Sequence, residues 1–233
     1  RHSVPPGIAG ESRLRDGLAP AAIPVAGHTV LDALLSVSGR QPEIGIPLDP
    51  AKRLILVTAH RRENFGAPFR EICQAILQLA EDNPDIQILY PVHPNPNIQG
   101  PAAEILGGHP AITLCPPLDY LPFVGAMQRA YLILSDSGGV QEEAPALAKP
   151  VLVLRNETER PEAVEAGVVK LVGPDCNRIL LEAQRLLDDP AYYRAMARGV
   201  SPYGDGHAAA RIIEVLKSWA GSGQVKVPPA DPA

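Results

Sequence analysis

The stretch YLILSDSGGVQEEAP, residues 131–145, decides the fold. Tyr131, Leu132, Ile133 and Leu134 form a short apolar run of the kind that makes a buried strand. Ser135 to Gly139 interrupt it with turn-forming residues, and residues 140–147 return to helix-forming composition. Strand, tight turn and helix in this order open a βαβ unit. Gly138 and Gly139 carry no Cβ, so backbone N–H groups there can approach a ligand closely. The helix start offers unpaired donors and the positive end of its dipole to an anion. Glu142 and Glu143 are expected in the first turn of that helix, where a carboxylate can accept the paired hydroxyls of a ribose. The same residues also suit a Ser-capped helix with acidic side chains favourably placed in its dipole. The stretch alone does not separate these two readings.

The alternation continues on both sides. Upstream, strands are expected at residues 53–58 (RLILVT), 86–90 and 112–115, with helices at 68–81, 101–106 and 120–129. Downstream, strands are expected at 151–154 and 170–172, with helices at 162–166 and 177–187. Short strands alternating with helices predict an α/β fold, a doubly wound parallel sheet of Rossmann-like type covered on both faces. Ligands of such sheets sit at the carboxyl ends of the strands. The chemically rich segments fall there: HRREN at 60–64, PVHPNP at 91–96, DSGG at 136–139 and RNETERPE at 155–162.

Flanking segments are simpler. Residues 11–17 read as a helix end stopped by Gly17, and 23–26 as a short strand. Residues 29–36 read as a helix with Val30, Leu31, Leu34 and Leu35 on one face, and 41–50 as a Pro-punctuated linker. A last helix is expected at 207–219, followed by a Gly/Pro-rich tail without core pattern.

With 233 residues, 45% of them hydrophobic, the chain can bury a substantial core. A net charge of −5 argues against a large nucleic-acid surface. No apolar run approaches the ~20 residues of a membrane span, and residues 1–10 lack the apolar core of a signal peptide. Cys73, Cys115 and Cys176 are odd in number, widely spaced and without Cys-x-x-Cys, which predicts reduced thiols and a cytoplasmic protein. No metal-ligand spacing is present. The dinucleotide Gly-x-Gly-x-x-Gly and the P-loop pattern are both missing.

His60 with Arg61 and Arg62 suits phosphate binding, stabilisation of a departing anion, or proton transfer near neutral pH. Arg160 precedes a helix that begins at Pro161, where a cation opposes the dipole. It calls for an anionic ligand or for pairing with Glu157, Glu159 or Glu162. His93 lies between prolines that give it a defined direction. Tyr120 and Phe123 open a helix near a strand end, where an aromatic ring can stack on a base or pack in the core.

HRREN at 60–64, PVHPNP at 91–96, DSGGVQEEAP at 136–145, TERPEAVEAG at 158–167 and SPYGDG at 201–206 together resemble the non-hydrolysing bacterial UDP-N-acetylglucosamine 2-epimerases. The resemblance runs from about residue 11 to about 216. It implies the second half of a GT-B type two-domain fold. Residues 1–20 would be the remnant of an absent N-terminal domain and 21–205 the UDP-binding Rossmann-like domain. Residues 206–219 would be a C-terminal helix returning toward the N-terminal domain, and 220–233 a disordered tail. The implied activity interconverts UDP-N-acetylglucosamine and UDP-N-acetylmannosamine by UDP elimination and re-addition, without a cofactor. A homodimer at full length, a place in cell-surface polysaccharide synthesis, and no nucleic-acid or membrane partner are implied as well.

Carried over by motif, His60 is catalytic or contacts phosphate, and Ser137, Gly138 and Gly139 hold the diphosphate. Glu143 binds the ribose hydroxyls, and Arg160 contacts the ligand near the phosphates or sugar. Phe123 and the backbone of Leu118 lie at the uracil. In some members Arg61, Glu63 and His93 line a second, regulatory UDP-N-acetylglucosamine site. The chain departs from the family at His28, usually Asn, and in RNETERPE, often RDTTERPE. The catalytic carboxylates that the family draws from its first domain have no counterpart here. Two other readings stay open: a UDP-sugar-binding module without catalysis, and a GT-B glycosyltransferase. The pairing of HRREN with PVHPNP favours the epimerase over the transferase.

Overall fold

A computed structural model describes residues 14–17, 19, 20 and 23–221. In chain order the elements are α1 (Thr29–Ser38), β1 (Arg53–Thr58), α2 (Ala67–Asp82), β2 (Ile86–Pro91), α3 (Pro96–Leu106), β3 (Ile112–Cys115), α4 (Tyr120–Arg129), β4 (Ala130–Ser135), α5 (Gly138–Glu143), β5 (Val151–Val153), α6 (Pro161–Glu165), β6 (Val169–Leu171), α7 (Cys176–Asp188), α8 (Pro190–Met196) and α9 (Ala208–Gly221). Short 3-10 turns occupy Arg62–Asn64 and Ala144–Leu147. The contacts divide the chain into two units, one of Ser36–Pro202 and one made by the segments up to Leu35 and from Tyr203.

The larger unit holds a six-stranded parallel sheet in the order β3-β2-β1-β4-β5-β6. This is the doubly wound α/β arrangement that the alternating pattern predicts. The connections run outward in one direction from β1 and in the other from β4. A crevice therefore opens between those two strands at their carboxyl ends. Register puts Thr58 beside Ser135 at that end, with their hydroxyl oxygens 2.7 Å apart. Leu54, Ile55, Leu56 and Val57 of β1 are all buried, which explains an apolar run without alternation. Phe69, Ile72, Ile76 and Leu79 of α2 enter the same core as Ile179, Ala183 and Leu186 of α7.

Some boundaries differ from expectation for local reasons. Helix α3 begins at Pro96, not residue 101, because the Asn95 side chain accepts from the Asn97 N–H at 2.9 Å. Pro101 is carried inside it, at the loss of one helical hydrogen bond. The expected helix at 140–147 starts earlier, at Gly138, and tightens into a 3-10 turn after Glu143. Glu142 and Glu143 thus close helix α5 and are not in its first turn. Helix α8 was not expected, although Asp189 caps it through the Ala191 and Tyr192 amides and Pro190 opens it.

In the smaller unit the Asp32 carboxylate accepts the amides of Ala208 and Ala209 at 3.0 and 2.6 Å, so it caps α9 across a long sequence gap. Gly204, at φ 140°, would place a Cβ 3.3 Å from the Cα of Gly27, so only glycine allows this approach. His28 donates its amide to the Tyr203 carbonyl at 2.8 Å. Val25 makes a single β-bridge where residues 23–26 were expected to form a strand. Of the expected helix end at 11–17, residues 11–13 lie outside the described part. Of the expected tail, Ala220 and Gly221 are helical and 222–233 lie outside it.

Candidate functional site

Four strand ends build one pocket of about 340 Å³ at the switch point. The loop after β1 supplies His60, the end of β2 supplies Pro91 and His93, and the segment after β3 supplies Pro117 and Leu118. Helix α4 adds Tyr120 and Phe123, and the turn after β4 adds Ser137, Gly139, Val140 and Glu143. Eight of the residues singled out in the sequence therefore meet in one place: His60, His93, Leu118, Tyr120, Phe123, Ser137, Gly139 and Glu143.

The turn after β4 is held from within. Ser137 donates its amide to Ser135 Oγ at 3.0 Å, and Asp136 donates its amide to the Thr58 carbonyl at 3.0 Å. A Cβ on Gly138 would lie 3.7 Å from Nη2 of Arg61, so this guanidinium stands beside the glycine turn. Gly139 faces open space, with Ser137 Oγ the nearest atom at 3.9 Å.

Glu143 is 6% exposed, and burial pushes its carboxyl above the usual carboxylate range. The Tyr120 hydroxyl donates to its Oε1 at 2.8 Å and opposes that shift. Next to it, Glu142 is also buried and accepts a hydrogen bond from Nε of Arg160. Arg160 thus pairs with a carboxylate distant in sequence, and it reaches the neighbouring Glu159 through that residue's main-chain carbonyl at 3.0 Å. Thr158 ties the same loop down by donating to Gln141 Oε1 at 2.5 Å and accepting the Arg160 amide at 3.0 Å.

The rings of His60 and His93 stack with centroids 5.7 Å apart and planes 13° apart. His93 accepts the Asn95 amide at Nδ1, 3.1 Å away, which leaves Nε2 to carry the proton of the neutral ring. Arg61, Glu63, Gly138 and Arg160 do not line the pocket. Glu63 is engaged by Arg155, a cation only 7% exposed, which also grips Glu159. Two residues that organise the site went unnoticed in the sequence. Arg155 follows the apolar run of β5 and was quoted only as the first residue of RNETERPE, without a role. Asp136 sits inside the turn motif, yet its donors come from 72 to 76 positions upstream. Among the described residues no group of three or more His, Cys, Asp and Glu side chains could hold a metal ion. No described helix is long and apolar enough to cross a membrane.

A family model described as UDP-N-acetylglucosamine 2-epimerase matches residues 2–217. The chain belongs to the UDP-N-acetylglucosamine 2-epimerase family. The epimerase of Escherichia coli K12 is 50% identical over 93% of this chain. The chain spans 60% of the length of that relative. Among solved epimerases, that of Neisseria meningitidis bound to UDP-N-acetylglucosamine superposes with a TM-score of 0.83 at 40% identity, covering 90% of this chain and 59% of its own. S. aureus MnaA, solved with UDP, gives a TM-score of 0.84 at 38% identity, covering 97% of this chain and 61% of its own.

Proposed function

We propose that this chain carries the UDP-binding half of a non-hydrolysing UDP-N-acetylglucosamine 2-epimerase, which interconverts UDP-N-acetylglucosamine and UDP-N-acetylmannosamine. The convergence of His60, Leu118, Phe123, Ser137, Gly139 and Glu143 on one pocket carries the reading. Family membership and relatives solved with UDP or UDP-N-acetylglucosamine support it. Ser137, Gly138 and Gly139 hold the diphosphate through backbone and hydroxyl donors, with Arg160 near the phosphates or sugar. Glu143 takes the ribose hydroxyls, and Phe123 with the Leu118 backbone flanks the uracil. Arg61, Glu63 and His93 are assigned to a regulatory UDP-N-acetylglucosamine site.

In this reading the carbon-2 proton leaves, the carbon-1 bond to UDP breaks, and a double bond forms between the two carbons. The product is 2-acetamidoglucal. Reprotonation of carbon 2 on the other face and return of UDP to carbon 1 give the epimer. The sequence is redox-neutral and needs no hydride acceptor. His60 serves one proton transfer or neutralises the departing diphosphate. Each face of the sugar needs its own acid or base, so the second group belongs to a further domain.

The chain is accordingly assigned as the second half of a GT-B type fold. Residues 1–20 then belong to the first domain, and 206–219 form a helix that returns toward it. The full-length protein is read as a cytoplasmic homodimer that supplies N-acetylmannosamine for cell-surface polysaccharide. A UDP-sugar-binding module without turnover is the second reading.

Calorimetric titration with UDP tests the site. Glu143→Ala should weaken binding by about 1.5–3 kcal/mol, the scale of hydrogen bonds to a charged group. Unchanged affinity would remove the ribose role, and a wild-type chain that ignores UDP would refute the function. Incubation with UDP-N-acetylglucosamine in deuterated water separates the two readings. Carbon-2 exchange at enzymatic rates would show a complete active site and overturn the half-site assignment.

A further inference from the structure

We propose that Asp136 is the positioning residue of His60. Its carboxylate holds the imidazole with the proton on Nδ1 and leaves Nε2 as the only acceptor of the ring. The inference rests on the proposed role of His60 in proton transfer.

Asp136 is fully buried. Its Oδ2 accepts three donors, the amides of His60 and Arg61 at 2.9 and 2.8 Å and Nδ2 of Asn64 at 3.2 Å. Its own amide donates to the Thr58 carbonyl, so backbone and side chain are both fixed. Oδ1, by contrast, is buried without a hydrogen-bond partner. His60 Nδ1 lies 3.6 Å from that oxygen. A neutral ring with a lone pair on Nδ1 would turn acceptor toward acceptor and leave both unsatisfied. A proton on Nδ1 satisfies Oδ1 after a small ring movement.

Although the His60 side chain is 40% exposed, two contacts restrain its ring. The carboxylate that faces it also anchors its backbone, and the His93 ring stacks on it at 5.7 Å. A buried carboxylate on one imidazole nitrogen fixes the tautomer and supports the imidazolium that forms when the other nitrogen takes a proton. Asn64, which also donates to the Leu154 carbonyl at 3.1 Å, keeps the carboxylate from rotating. The proton-transfer group thus stands on the β1 loop, but its orientation is set by the first residue after β4.

Nitrogen-15 NMR of this chain, labelled at histidine, reads the tautomer directly at a pH where the ring is neutral. His60→Gln assigns the resonances by removing one set. We expect the Nδ1–H tautomer at His60 in the wild type. Asp136→Asn should reverse it, because the amide keeps its oxygen on the three donors and turns its NH₂ toward Nδ1. An Nε2–H tautomer in the wild type would overturn the proposal, as would an unchanged tautomer in Asp136→Asn. If that variant does not fold, the wild-type spectrum decides alone, since a neutral histidine ring that no carboxylate directs favours the proton on Nε2. Nucleotide is left out of the measurement. Loss of UDP binding with the expected tautomer present would count against the proposed function and not against this arrangement.

Discussion

The Tyr120 hydroxyl donates to Oε1 of Glu143 at 2.8 Å, which joins the first residue of α4 to the last of α5. Burial raises the Glu143 carboxyl, and this bond holds it down. Tyr120→Phe should therefore raise it further. A raised carboxyl favours the folded state at low pH, and that contribution is lost as pH rises through its folded value. If Glu143 takes the ribose hydroxyls as proposed, acid weakens that clamp by protonating it, without unfolding the chain through this group. UDP affinity, titrated calorimetrically between pH 8 and pH 5, should fall at higher pH in Tyr120→Phe than in wild type. Superimposable profiles would show that the bond does not tune the clamp.

Gly138 and Gly139 give a prediction with opposite signs for fold and ligand. A Cβ at either has no atom within 3.4 Å, so the empty fold accommodates alanine. Both lie in helix α5, where Gly→Ala stabilises by up to about 1 kcal/mol. Gly139→Ala should keep or raise the melting temperature while weakening UDP binding about tenfold or more, because the methyl group occupies the phosphate approach. Equal UDP affinity would move the diphosphate away from this turn.

Arg155 pairs with Glu63, which follows β1, and with Glu159, which follows β5. Both carboxylates are about half exposed, so after Arg155→Met they can hydrate. The expected loss is then about 1–2 kcal/mol in urea unfolding at pH 7, below the ~3–5 that follow a stranded buried charge. The arginine pulls Glu159 down to about 2 from its ordinary 4.5. A lowered carboxyl stabilises above its ordinary value and loses that effect as pH falls through the folded one. The stability gap between wild type and variant should narrow from about pH 5 toward pH 2. A gap independent of pH would mean that packing of the arginine stem dominates.

Much of this could be read in the chain because the informative segments were local. The run RLILVT, the strand at 112–115 and the helix at 120–129 have the expected bounds, since each is an apolar block with clear breakers. Of the eight pocket residues singled out beforehand, seven came from local patterns at strand ends and Leu118 from the family resemblance alone. What escaped depended on distance or on caps. Asp136 gains its role from donors on another strand, and Arg160 finds Glu142 eighteen positions away. Helix α8 was hidden by its shortness, although Asp189 and Pro190 spell its start. Pro101 misled because a proline inside a helix looks like a proline at its beginning.

The prolines of the pocket have a consequence of their own. Pro91 and Pro117 stand on the flank built by β2 and β3, and neither has an N–H to offer. Leu118 and Phe123 on that flank add no side-chain donor, which leaves the His93 ring as its donor, and the Glu143 carboxylate reaches it through Tyr120. The other flank, from β4, brings Ser137, Gly139 and Val140 with hydroxyl and amide donors. The pocket is chemically lopsided, so an elongated guest charged at one end has a head and a tail here. Inserted backwards, its anion would exchange amide and hydroxyl donors for proline rings, one imidazole and a carboxylate. Which way round a guest lies is settled at entry, before any bond is made or broken.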